Sequence, residues 1–208
     1  MNDSLKVSPS PCPFSRPRRP PCCSAFSQVV GSLAAILNSA AGSSSPAPDP
    51  AAAAQRTESR AAMFAAVASI AGSSASVLSS PASLGSVVSM VADITAQPRE
   101  VKPALAVSAS TLLVGAVSAA VANATSPLPA AISIGLLNTV VSSVAAVEST
   151  GSGNGSASLA EQSACAALSA QAARTVARNL VAGAVPGQAP AVIQACLVGQ
   201  MSATFKPP

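Results

Sequence analysis

The chain has 208 residues, of which Ala (47) and Ser (35) supply 82, while Trp, Tyr and His are absent and Phe occurs four times. Without His there is no His general base, no Ser-His-Asp or Cys-His pair and no His metal ligand, and so few aromatic rings give single-stranded nucleic acid no stacking platform. The formal net charge of +4 is unevenly spread: residues 1–23 hold Lys6, Arg16, Arg18 and Arg19 against Asp3, whereas the remaining 185 hold seven bases and six acids.

Residues 1–23 form a leader rich in Pro, Arg and Cys, and its composition predicts disorder. It has no apolar core of a secretory signal. A first helix is expected over 24–41, with Phe26, Val29, Val30, Leu33, Ile36 and Leu37 as its apolar stripe. Residues 42–55 read as a linker. A second helix, about 56–79, places Met63, Phe64, Val67, Ile70 and Leu78 on one face. Ser80-Pro81 is an N-cap followed by a proline at the first helical position, and it opens a third helix, about 81–96, that Pro98 ends. Its face carries Leu84, Val87, Val88, Val91 and Ile94.

Pro103 opens a fourth helix with Leu105, Leu112, Val114, Val117 and Val121 as its apolar set, and Ser126-Pro127-Leu128-Pro129 breaks it. A fifth helix, about 130–147, carries Leu136, Leu137, Val140, Val141, Val144 and Val147. After the loop at 151–156 a sixth, about 158–182, presents Leu159, Cys165, Leu168, Ala172, Val176 and Leu180. Beyond Gly183 the period changes to two, predicting one strand over about 191–205 that needs a sheet from outside the chain.

The expected fold class is therefore all-α: a bundle of five or six amphipathic helices over 56–183 and the helix before it. The C-terminal β-strand and tail, 184–208, look like the start of a missing β-domain. Leu, Ile, Val and Phe total only 47 residues, so the core is expected to be thin. No charge occurs between Pro103 and Val147, and 104–122 is apolar enough to be considered as a membrane span. Its apolar character comes mainly from Ala and Val, with no Trp or Tyr belt, which favours a buried helix.

The seven carboxylates stand at least seven residues apart, so none recurs at helical spacing. No Ser precedes a Lys by three positions, and neither GxSxG nor a phosphate-binding loop occurs. GSGNG at 151–155 lacks dinucleotide-binding spacing. No catalytic residue, cofactor site or metal site is expected, and the chain is read as a non-enzyme with no nucleic-acid partner. Arg174 and Arg178 read as a solvated helix face, and Arg99, Glu100 and Lys102 as a polar loop. Cys165 and Cys196 are a candidate disulfide in an oxidising compartment, the alternative being small buried hydrophobes. Asn123-Ala124-Thr125 and Asn154-Gly155-Ser156 are N-glycosylation sequons in expected breaks between helices, and Asn2-Asp3-Ser4 is a third.

Three stretches carry a resemblance. Residues 77–117 hold Ser-Pro, a short helix, Thr-Ala-Gln-Pro-Arg-Glu-Val and another helix, while ISIGLLNTVVSSVAAV (132–147) supplies the next helix. NLVAGAVPGQAPAVIQACLVGQMSATF (179–205) ends in Val-Pro-Gly-Gln-Ala-Pro ahead of the strand. Together they resemble the helical segment between the receptor-for-egg-jelly region and the autoproteolytic, GAIN-type β-domain of polycystin-like membrane proteins, in the Ala/Ser-rich form of green algae. The resemblance implies a non-catalytic, extracellular interaction module whose partner is another protein or the remainder of a larger membrane protein. The family's His-Leu-Ser/Thr cleavage site has no counterpart here, so no cleavage residue is carried over. Two other readings stand beside it: a small integral membrane protein spanning at 104–122, and an Ala/Ser-rich self-assembling matrix protein.

Overall fold

The computed structural model describes residues 21–42, 49–73, 78, 80–149, 157–184, 191–195 and 201–205. Most of these are helical. In chain order the elements are α1 (Pro21–Gly42), α2 (Pro50–Ser73), α3 (Pro81–Thr95), a 3-10 turn (Pro98–Glu100), α4 (Pro103–Asn123), α5 (Ala130–Glu148), α6 (Leu159–Ala182), β1 (Ala191–Ala195) and β2 (Met201–Phe205).

Proline sets the starts. Pro21, Pro50, Pro81 and Pro103 are the first residues of α1 to α4, where the missing N–H is no loss and the fixed φ suits the helix. Two starts differ from expectation. Helix α1 begins three residues before the expected start at 24, taking Cys22 and Cys23 out of the expected leader. Helix α2 begins at Pro50, inside the expected linker. The run of alanines after Pro50 favours helix, and Asp49 Oδ1 accepts the Ala51 N–H at 3.0 Å. Ser80 has extended backbone but makes no side-chain cap. Ser158 does: with Glu161 it forms a reciprocal capping box that holds the start of α6.

Helices α3 to α6 enclose the main core. Leu84, Val91 and Ile94 of α3, Leu113 of α4, Leu136 of α5 and Ala172 of α6 are fully shielded from solvent. Helices α4, α5 and α6 pack against one another, α3 packs on α5, and α1 and α2 dock on α3. At Gly135 a Cβ would run into Val88 Cγ1, so the absent side chain lets α5 approach α3. Hydroxyls join neighbouring helices: Ser110 Oγ donates to Ser143 Oγ at 2.8 Å, Ser143 Oγ lies 3.0 Å from the Ala106 carbonyl, and Ser118 and Thr175 share a bond of 2.7 Å.

Several predicted inward residues face out. Helix α1 buries Val30 and Ala34 but exposes Val29, Leu33 and Ile36. Its predicted stripe is wider than the contact that α3 and α2 offer, so half of it stays in solvent. On α4, Leu113 is fully buried while Leu112 is only half-buried. Leu159 stands at the first position of α6, 80% exposed.

The C-terminal segment is two strands instead of one. They pair antiparallel with Ala191 opposite Phe205 and Ala195 opposite Met201. The strand therefore finds a partner within its own chain, as a hairpin whose backbone runs beside α5 and α6. Residues 1–20, expected to be a disordered leader, lie outside the described residues, as do 151–156 with the sequon at Asn154.

Candidate functional site

Helix α2 is poor in large apolar residues, and what it turns inward is a cation. Thr57, Arg60, Val67 and Ala71 are its buried residues, at spacings that keep them on one face. The Arg60 side chain is completely shielded from solvent. Its Nε donates to Glu100 Oε2 at 3.1 Å, Nη1 to the Ile94 carbonyl at 2.8 Å and Nη2 to Asn38 Oδ1 at 2.8 Å. Arg56 Nε donates to the other Glu100 oxygen. Asn38 Nδ2 then donates to the Asp93 carbonyl at 3.2 Å. One guanidinium thus joins α1, α2, the end of α3 and the 3-10 turn.

The electrostatics follow from burial. Desolvation lowers the pKa of Arg60, while the hydrogen bond and charge of Glu100 oppose that shift. The group stays cationic because an arginine starts so high. Glu100, expected in a solvated loop, is buried. The Pro98–Glu100 turn points its carboxylate at the two arginines, and a partnered charge is the kind that can be buried. Lys102 pairs with Glu58 at an exposed position. Arg174 and Arg178 are exposed on α6, as expected.

A second cluster fastens the break between α4 and α5. Asn179 Oδ1 accepts the Leu128 N–H at 2.7 Å, and its Nδ2 donates to the Leu128 carbonyl at 3.1 Å and to Ser133 Oγ at 3.2 Å. The amide substitutes for a backbone partner in a loop fixed by Pro127 and Pro129.

Cys165 is buried beside Val147 and Ala157, and no cysteine among the described residues is bonded to it. Burial, assisted by Glu161, pushes the Cys165 thiol up, which disfavours a reactive thiolate. It lines an open cavity of about 490 Å³ with Val144, Val147, Glu148, Gln162 and Ser169. The proposed pairing with Cys196 reaches a residue outside the described ones. Asn123 is the exposed last residue of α4, not a loop residue, and its Nδ2 donates to the Ala119 carbonyl at 2.9 Å.

Among the described residues no three His, Cys, Asp or Glu side chains gather where they could hold a metal ion. Nor does any buried side-chain N or O among them lack a hydrogen-bond partner. The polar interior is therefore arranged to join helices to one another. The sequence reading missed Arg60, although Thr57, Arg60, Phe64, Val67 and Ala71 repeat at three- and four-residue steps and set the arginine on the apolar face.

No protein-family model, no curated protein and no solved structure matches the chain.

Proposed function

We propose that the chain is a non-catalytic, α-helical interaction module that works by packing and protein contact. The observation that carries this reading is the Arg60 cluster. The most deeply buried charge among the described residues is held by Glu100, Asn38 and a helix-end carbonyl, with each of its three nitrogens hydrogen-bonded to the protein itself. A catalytic arginine presents its fork to a substrate; this one presents it to two other helices and a turn.

The setting we propose is the extracellular part of a polycystin-like membrane protein, with the C-terminal hairpin as the entry to its β-domain. The segment that carries the resemblance has a defined structural role in support. Thr95 hydroxyl donates to the Val91 carbonyl at 2.9 Å, Glu100 receives both arginines, and Val101 is buried at the turn's exit.

A membrane-spanning reading draws on α4 and α5, which are long and apolar enough to cross a bilayer by length and composition. Most of the apolar window of α5 is buried inside the bundle, and the outward face of α4 is Ala104, Ser108, Thr111, Gly115 and Ala119. Such a face gains little from lipid, so the core reading is favoured.

The test is secretion of the full chain behind a cleavable signal in eukaryotic cells. The module reading expects soluble, helical protein, with a glycan lost from Asn123 in the Asn123→Gln variant. Chain that stays in membranes after alkaline carbonate extraction would overturn it in favour of a span.

A further inference from the structure

Helix α1 has two apolar sides, and only one of them is covered. Val29, Leu33 and Ile36 are 57%, 47% and 65% exposed. At i, i+4 and i+7 they share one face over roughly 10 Å of helix axis. No residue of Pro21–Gly42 is charged. The helix is not free to roll and hide this stripe. Val30 and Ala34 are buried on a neighbouring face, about 100° round the helix, and Asn38 is held by Arg60 and by the Asp93 carbonyl.

The chain directly before this helix supplies the second observation. Arg16, Arg18 and Arg19 lie within five residues of Pro21, and Lys6 precedes them, against the single acid Asp3. An exposed apolar stripe and a cationic segment thus adjoin in sequence.

We propose that α1 is a docking helix for an anionic lipid surface. Val29, Leu33 and Ile36 enter the boundary between headgroups and acyl chains, and Arg16, Arg18 and Arg19 are attracted to the phosphate-bearing headgroups. Charge decides for lipid over a second copy of the chain. Pairing two α1 helices brings two cationic segments into one assembly, with no acid on either helix to offset them. Three side chains are also a small patch against the roughly 800 Å² per partner of a stable protein interface. The inference goes beyond the module reading and does not rest on it.

The experiment is flotation of the full chain with vesicles of phosphatidylcholine alone or with about a third phosphatidylserine. Binding is expected to the anionic vesicles only and to fade as salt is raised. Arg16→Gln, Arg18→Gln and Arg19→Gln together should weaken partition by about a hundredfold, about fivefold per charge. Leu33→Ser with Ile36→Ser should weaken it at least about tenfold, with circular dichroism and the urea midpoint unchanged because both side chains are exposed. Three results would each overturn the proposal: no binding to anionic vesicles, equal binding to neutral ones, or a dimer that depends on Leu33 and has no lipid affinity.

Discussion

The two halves of the bundle are held by different physics. Helix α5 buries eleven residues, among them Ile132, Leu136, Leu137, Val140, Val141 and Val147. Helix α2 is five residues longer, at 24 against 19, yet buries four, and two of those are Thr57 and Arg60. Where aliphatic side chains are plentiful, α3 to α6 close around them. Ala and Ser make up more than half of α2, and there α1 and α2 are fastened by a buried guanidinium and its partners. Apolar contact there is too sparse to fix position, and directional bonds supply the orientation that packing does not.

The difference can be broken from either side. Arg60→Ala removes the hub and strands Glu100 with Arg56 alone, so it is expected to cost about 3–5 kcal/mol, read from urea unfolding. Leu136→Ala attacks the other half. Leu136 is fully buried, and the loss should be about 2–5 kcal/mol, set by how far α3 and α4 collapse into the space. Asn179→Ala leaves both polar groups of Leu128 without their partner and should cost about 1–3 kcal/mol. Ser158→Ala removes the one capping box described and should cost about 1 kcal/mol. It should also fray the first turn of α6 in amide exchange.

The smallest effect is a pH-dependent one. Burial pushes the Asp93 carboxyl above its ordinary value, so the native chain holds that proton more tightly than the unfolded chain. Well below the unfolded value, about pH 4, both states are protonated and the burial cost vanishes. As pH rises through the raised native value, the folded chain must bear a partly desolvated charge and stability falls. Asp93→Asn should therefore leave the urea midpoint unchanged near pH 3 and raise it slightly near pH 7.

Helix-by-helix order was legible because prolines and apolar spacing agree: Pro81, Pro98, Pro103 and Pro129 bracket α3, α4 and α5 almost to the residue. The polar fastening was not. Arg60 and Glu100 are forty residues apart, and only tertiary contact turns a charge in each into a buried pair. Glu100 sits beside Arg99 and Lys102, where a charged loop is the local expectation. The face of α1 was ambiguous for the same reason. Val29 and Val30, and Ile36 and Leu37, are adjacent pairs about 100° apart on the helix, and the period does not say which member of each pair a neighbour will cover. The two strands read as one in the sequence because period two runs through both, and nothing in the alternation marks where the first ends and the second begins.

The most direct test of the Arg60 account is native-state hydrogen exchange on the full chain and on Arg60→Ala in detergent-free buffer. The account predicts that the variant loses protection throughout α1 and α2 while α3 to α6 keep most of theirs. Unchanged protection in α1 and α2 would contradict it, because Arg60 would then be buried for a purpose other than holding those helices to the bundle.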